Sequence, residues 1–431
     1  MTEADSLTRD RAREDRMMRC LWIGHHLPFP MHEGAKLYSG KLALAFSRSG
    51  AFVRMLGFGG EAPPAEHGER IECISVPGVR RRAVTGLLSS MPLKAALDAT
   101  PGYMRLLERQ LAQPWDVIVL DNYSAGWALD RCLAHRKVGG NAPVLVHVSH
   151  NHEEKVWSSM ARHASASIPH KLLLWQNHRK VSRLERHLAR SVDLLTTITD
   201  DDARSFRESR SRGPILTLTP GYDGPVVASR TITTDTLRRA VIVGSFHWIV
   251  KRENLARFIA SADRLFAEHG IELIVVGDVP QDLRSSLEAS VRATRFTGFL
   301  SDLGPVLSQA RIAVVPELIG GGFKLKFLDY FFARVPVATI GAAAAGLPLE
   351  LRKELLTSED FDGLARVIVE QIDQPDTLNR MQEKAFALAQ SLYRWEDRGS
   401  QLARAIERIR HDETAGRTQQ SPAAMTPAQE L

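Results

Sequence analysis

Cysteine is scarce in this 431-residue chain: Cys20, Cys73 and Cys132 stand far apart with no paired spacing. That excludes a zinc ribbon or a disulfide framework and fits a reducing compartment. No apolar run approaches the roughly 20 residues needed to cross a bilayer, and residues 1–16 mix acids and bases without the apolar segment of a secretory signal. The expectation is a cytoplasmic chain without a membrane anchor. Strong charge of one sign is also missing. Lys and Arg number 56 against 50 Asp and Glu, and the resulting +6 is too diffuse over this length to argue for nucleic acid, for which no motif is present. Nor does any Asp-x-Asp arrangement offer to hold a metal. Asp200-Asp201-Asp202 falls where a helix start is expected and reads as capping.

What is present is an alternation of short apolar runs with amphipathic segments, in two series. Cys20–Gly24, Phe52–Leu56, Ile71–Val76, Val117–Leu120, Val144–Val148 and Leu194–Ile198 read as strands, with helical patterns such as Leu37–Ser47 and Tyr103–Leu111 between them. A second series has strands at Val241–Gly244, Glu272–Val276, Ile312–Val315 and Val335–Thr339, and helices at Asn254–Phe266 and Phe361–Ile372. Each series describes a mostly parallel, doubly wound sheet covered by helices. The domains are expected at 17–219 and 240–393, joined by a linker at 220–239 that opens with Pro220-Gly221-Tyr222-Asp223-Gly224-Pro225. A last helix, within 394–411, follows the helical pattern Thr377–Leu392. Segments 1–16 and 412–431 show no pattern and are expected to be disordered tails. Ligands of such sheets bind beyond the carboxyl ends of the strands, so two facing domains place theirs in the cleft between them.

The stretch richest in chemistry is Pro316-Glu317-Leu318-Ile319-Gly320-Gly321-Gly322-Phe323-Lys324-Leu325-Lys326-Phe327-Leu328-Asp329. It leaves the strand Ile312–Val315 and enters an apolar-periodic helix expected over Phe323–Phe332. Strand, glycine-rich turn and helix N-terminus make an anion site: glycines let the backbone approach, and the first helical N–H groups lack partners. Lys324, placed in the first turn, sits unfavourably near the positive end of the helix dipole unless an anion compensates. A phosphate is the anion this arrangement suits.

The run from Gly320 to Asp329, continued by Ala333-Arg334-Val335-Pro336-Val337-Ala338-Thr339 and Ala345-Gly346-Leu347, resembles the donor-binding signature of retaining family 4 glycosyltransferases. Other landmarks fall in the family's order: the Gly34 loop, His150-Asn151-His152-Glu153, Pro220-Gly221-Tyr222-Asp223, Val243-Gly244-Ser245, Val276-Gly277-Asp278 and Thr297-Gly298-Phe299. The resemblance spans about Arg19 to Arg410. It implies an α/β chain of GT-B architecture, two doubly wound Rossmann-like domains facing across a cleft, with the final helix crossing back to the first domain. It implies transfer from a nucleotide-diphosphate sugar to a saccharide or lipid-linked saccharide, with no cofactor. Gly34, Gly244, Lys251, Arg252, Gly298, Phe299, Gly320, Gly321, Gly322, Phe323, Lys324 and Asp329 are then the donor-binding candidates. Lys251 and Lys324 are the diphosphate cations, with Arg252 as substitute, and Asp329 takes the ribose hydroxyls. The family's first acidic residue falls at Gly321, and an arginine common after the second domain's first glycine is Ser245 here.

Under the same resemblance His150 contacts the donor sugar or the reacting centre, and Glu153 serves as an acceptor-side carboxylate. Two plainer roles stand beside this: His150 and Asn151 satisfying loop backbone, and His152 as the functional imidazole. Asp121 and Asn122, ending another strand, either face the acceptor or cap the following segment. Front-face transfer, with the leaving diphosphate taking the acceptor proton, needs no enzymic nucleophile. Competing readings are an epimerase or hydrolase of the same fold and a non-catalytic nucleotide-sugar-binding subunit. Basic residues crowd Lys155–Arg190 and Arg80-Arg81-Arg82, where either a solvated face or an anionic membrane surface explains them. In the helical pattern His170–Arg190, Leu174, Val181, Leu184 and Leu188 form a stripe expected to face the core. Peripheral contact with the inner face of the membrane is the partner this basic helix suggests.

Overall fold

The computed structural model describes residues 17–31, 34–61, 70–77, 86, 89–138, 142–163, 168–209, 211–318 and 322–419. Residues 1–16, Arg80, Arg81, Arg82, Gly320, Gly321 and 420–431 therefore lie outside the described residues. Two parallel sheets account for the two series. In the first, β1 (Arg19–His26), β2 (Phe52–Phe58), β3 (Ile71–Ser75), β4 (Val117–Asp121), β5 (Val144–Val148), β6 (Leu194–Thr197) and β7 (Ile215–Thr217) run in the order β3-β2-β1-β4-β5-β6-β7. In the second, β8 (Arg239–Val243), β9 (Glu272–Val276), β10 (Thr294–Gly298), β11 (Ile312–Val315), β12 (Val337–Ile340) and β13 (Leu356–Ser358) run in the order β10-β9-β8-β11-β12-β13.

The central strands β4, β5 and β11 are buried at every position because both faces are covered. Ile118 and Leu120 of β4 enter one core layer while Val117 and Val119 enter the layer on the opposite face. β11 divides the same way, with Ala313 and Val315 on one side and Ile312 and Val314 on the other. β7, β10 and β13 escape the sequence reading. Each ends its sheet's order and is only partly covered, so none carries the continuous apolar run that marks a central strand.

The helices that bear on the site are α1 (Gly34–Arg48), α2 (Leu93–Asp98), α3 (Glu153–His163), α4 (Ile168–Ser191), α5 (Asp200–Glu208), α6 (Ile249–Glu268), α7 (Gln281–Glu288), α8 (Lys326–Phe332) and α9 (Trp395–Gln419). α8 begins at Lys326, three residues later than the expected Phe323. Gly322 has φ +71°, a left-handed conformation that ends any helical run, and Phe323 turns inward to lie 5.5 Å from the Tyr393 ring. Lys324 is thus in the loop and not in the first helical turn. α9 likewise runs on to Gln419, into a segment expected to be patternless.

Trp395, Leu402 and Ile406 of α9 join the core of the first domain with Leu42 and Phe46 of α1. The two helices meet so closely that a Cβ on Gly399 would lie 2.0 Å from the Ala45 carbonyl oxygen. The last helix therefore crosses back over the first domain and ties the two ends of the fold together.

Candidate active site

Strand order reverses between β1 and β4 in one sheet and between β8 and β11 in the other. Crevices for ligands open at such points, beyond the strands' carboxyl ends. On the first side, Asp121 closes β4 and His150 follows β5. His150 Nε2 lies 2.7 Å from Asp121 Oδ1 and 3.3 Å from Ser39 Oγ, while Trp22 Nε1 donates to Asp121 Oδ2 at 2.9 Å. Burial pushes the Asp121 carboxyl up, but His150, Trp22 and Ser39 together bring it below its ordinary value. The Tyr38 ring meets His150 edge-on at 5.4 Å. A buried carboxylate therefore orients a buried imidazole. The strand-end pair divides its roles: Asn122 caps the next turn by accepting from the Ser124 N–H at 3.2 Å, while Asp121 is spent on His150 and Trp22.

Glu153 opens α3, and Asn151 Nδ2 donates to its carboxylate at 3.1 Å. Burial raises its pKa, with Asn151 and the Lys94 charge opposing. The backbone N–H groups of Glu153 and Glu154 donate to the two oxygens of Glu185 at 2.7 and 2.8 Å, so Glu185 caps α3 from α4. Burial pushes Glu185 up to about 8. His152 lies against Phe206 at 4.7 Å, and its N–H donates to Asp202 Oδ1 at 3.0 Å. His152, Glu154 and Glu185 bring potential metal-ligand atoms within 4.8 Å of one another. The bonds to Glu185 already explain this gathering as a helix cap.

Sequence reading passed over a second His–Asp pair. His25 Nδ1 lies 2.5 Å from Asp98 Oδ2 at the end of β1, with Asp98 buried at the end of α2. Next to it, a Cβ on Gly24 would stand 3.8 Å from Asp121 Oδ2, so the two pairs are neighbours. No local signal announces the His25 pair, whose members are 73 positions apart.

On the second side, β11 leads into Pro316 and Glu317. Lys326 Nζ donates to Glu317 Oε1 at 2.7 Å, and Lys324 Nζ stands 3.5 Å from Oε2. Burial alone would raise the Glu317 pKa, but Lys326, Lys324 and Lys251 hold it at about 2. Lys251, from the first turn of α6, is pushed down by burial and then by Lys326 and Lys324, against Glu317. Lys251, Glu317 and Lys326 line a small, partly open crevice with Phe246, Asn254 and Pro316. Three ammonium groups surround one carboxylate, and the Asp329 carboxyl also feels the charge of Lys326. Lys326 and Glu317 were not singled out from sequence; the motif Gly-x-Lys-x-Lys was the available signal.

The remaining candidates are spread around this centre. Arg252 is turned to Asp282 of α7 in an ion pair, not joined to the lysines. Asp329 lies one turn into α8, where burial raises it to about 6 against a hydrogen bond from Tyr222 and the charge of Lys326. The Tyr222 ring stacks on Phe332 at 4.2 Å. Gly244 follows β8, its N–H bonded to the Val276 carbonyl at 3.0 Å. Gly298 ends β10 at φ +76°, and Phe299 beside it is 80% exposed. Gly34 starts α1 with Leu325 of the second domain against it, since a Cβ there would be 3.4 Å from Leu325 Cδ1. Gly322 touches the His150-Asn151 turn across the same gap.

Two doubly wound domains face one another, one carrying three partly buried lysines near Glu317 and the other an imidazole oriented by Asp121. The chain belongs to the group 1 glycosyl transferases. The model for Glycosyl transferases group 1 matches residues 238–374, and the model for the Glycosyl transferase 4-like domain matches residues 33–221. No sequence match is found among curated proteins. Among solved structures, sucrose-phosphate synthase from Thermosynechococcus elongatus is similar over 91% of this chain and 99% of its own, with TM-score 0.68 and 16% identity. HepE from Anabaena, solved in complex with UDP and glucose, is similar over 90% and 99%, with TM-score 0.62 and 14% identity. Trehalose 6-phosphate synthase from Burkholderia multivorans is similar over 95% and 100%, with TM-score 0.61 and 14% identity. At these identities the likeness establishes the GT-B fold.

Proposed function

We propose that this glycosyltransferase is a retaining, metal-independent enzyme. It moves a sugar from a nucleotide-diphosphate sugar to a saccharide or lipid-linked saccharide in glycan or polysaccharide synthesis, in the cytoplasm at the inner face of the membrane. The observation that carries this reading is the cluster of Lys251, Lys324 and Lys326 around Glu317, beside the loop that Gly322 presses against the His150 turn. A nucleotide-diphosphate sugar brings phosphate charges of the sign that a lysine cluster attracts. The HepE structures, whose titles name UDP and UDP-glucose, support a donor of this class.

In this mechanism the diphosphate takes the lysines from Glu317, and they stabilise the charge it gains as the sugar's anomeric carbon–oxygen bond breaks. The acceptor oxygen bonds to that carbon on the same face, and its proton passes to the departing phosphate oxygen. His150, fixed by Asp121, hydrogen-bonds a donor-sugar hydroxyl beside the reacting carbon. Glu153 faces the acceptor, and Asp329 and the Gly298-Phe299 turn hold the nucleoside.

Thermal denaturation with UDP-, GDP- and ADP-sugars tests the donor, because a ligand bound to the fold raises Tm in proportion to its affinity. One of them should raise Tm and be hydrolysed slowly without acceptor. Stabilisation without turnover would leave a binding subunit, rapid sugar release or isomerisation without acceptor a hydrolase or epimerase, and no stabilisation would end the donor assignment.

A further inference from the structure

From Lys155 to Leu184 the chain carries six Lys and Arg and no Asp or Glu, which is the whole of its formal +6; the remainder is balanced. This segment is most of α3 and α4, which pack on one another as a hairpin. Its base belongs to the first domain: Val181 and Leu188 are buried, as the core stripe predicted, and Glu185 caps α3. Its free end differs. Ile168 is 77% exposed, Leu172 63% and Trp175 50%, and their spacing puts them on one face of α4. Arg179, one turn further along that face, lies over the Trp175 ring at 4.4 Å. Leu173 is exposed beside them, as are the basic Arg162, Lys171 and Arg183.

We propose that the free end of the α3–α4 hairpin docks onto an anionic lipid bilayer. Ile168, Leu172 and Trp175 enter the headgroup boundary, while Arg162, Lys171, Arg179 and Arg183 meet lipid phosphates. The combination selects this partner. Exposed aliphatic side chains gain nothing against a nucleic acid backbone, and a basic helix carrying Trp and Leu on one face suits the interface plane. Each cation near an anionic surface adds to the attraction, and salt screens that part of it. α3 begins at Glu153 beside His150, and eleven helical residues span about 16 Å. Docking therefore holds the acceptor side of the cleft close to the bilayer, where an acceptor carried on a lipid would be presented. Only this consequence for the acceptor rests on the transferase reading.

Flotation of the full chain with vesicles tests the proposal, using phosphatidylglycerol mixed with phosphatidylethanolamine against phosphatidylcholine alone. The protein should float with the anionic vesicles at low salt, at least tenfold more than with phosphatidylcholine. Leu172→Asp/Trp175→Asp and Lys171→Glu/Arg183→Glu should each lose most of that binding with Tm unchanged. No flotation of the wild type at low salt overturns the proposal, as does undiminished binding of the Leu172→Asp/Trp175→Asp variant. A stable dimer broken by that variant, without vesicle binding, would make a second copy the occupant and also overturn it. Hydrolysis of the stabilising sugar nucleotide, measured without vesicles, reports on the transferase reading separately and should be equal in wild type and variants.

Discussion

Gly322 of the second domain presses on Asn151 of the first: a Cβ at Gly322 would stand 1.9 Å from the Asn151 amide oxygen. The other end of that amide donates to Glu153, so the glycine loop and the Glu153 carboxylate share one residue. Gly322→Ala must accommodate both this clash and φ +71°, the latter costing about 1–2 kcal/mol for a residue with a Cβ. Donor turnover should fall at least tenfold, with a lower Tm. Combining it with Asn151→Ala should cost less than the two separate losses added, and wild-type turnover in Gly322→Ala would refute the contact's role.

Glu317 is the counter-charge of three lysines. Its folded pKa of about 2 lies below the ordinary 4.5, so its contribution is complete above pH 4.5 and disappears as pH falls towards 2. Glu317→Gln should lower stability near neutral pH by about 3 kcal/mol, a deficit that shrinks through that window in urea titrations. Because a diphosphate would neutralise the same lysines, UDP should raise the Tm of Glu317→Gln more than that of the wild type.

Lys324→Ala removes one cation from the proposed diphosphate site without disturbing a helix. A charge-assisted bond of about 1.5–3 kcal/mol predicts a loss of roughly 10–100-fold in kcat/KM for the donor. Circular dichroism should stay near wild type while Tm falls modestly with the lost Lys324–Glu317 contact, and unchanged turnover would remove Lys324 from the leaving-group role.

Asp329 has its pKa raised from 3.8 to about 6, so its ionisation opposes folding as pH climbs through that interval. Asp329→Asn should therefore be more stable than wild type at pH 7.5, on the order of 2 kcal/mol after allowing for partial exposure, with the gain gone at pH 3.8. If Asp329 holds the ribose, the same variant should bind the sugar nucleotide more weakly. Equal donor affinity by calorimetry would separate the stability effect from any binding role.

The central strands were legible because a run such as Val144–Val148, buried at every position, has no other economical reading. The outermost strands were not, since Thr294–Gly298 alternates exposure and carries little apolar signal. The helix after the glycine-rich stretch was expected from Phe323, three residues too early, because apolar periodicity continues back through Phe323. That ring is partly buried beside Tyr393 without belonging to the helix. Arg252 illustrates the limit for charged side chains: sequence placed it beside Lys251, and Asp282 draws it elsewhere.

Apolar runs, turns and an ordered set of motifs were enough by themselves to determine two doubly wound domains and the glycosyltransferase family, because burial patterns and backbone requirements are local properties. Tertiary structure alone decided that Lys326 joins Lys324 and Lys251 at Glu317, that Asp121 aims His150, and that Ile168, Leu172 and Trp175 are left uncovered. Those outcomes depend on which distant segments pack together and which are left uncovered. Local periodicity carries no record of either.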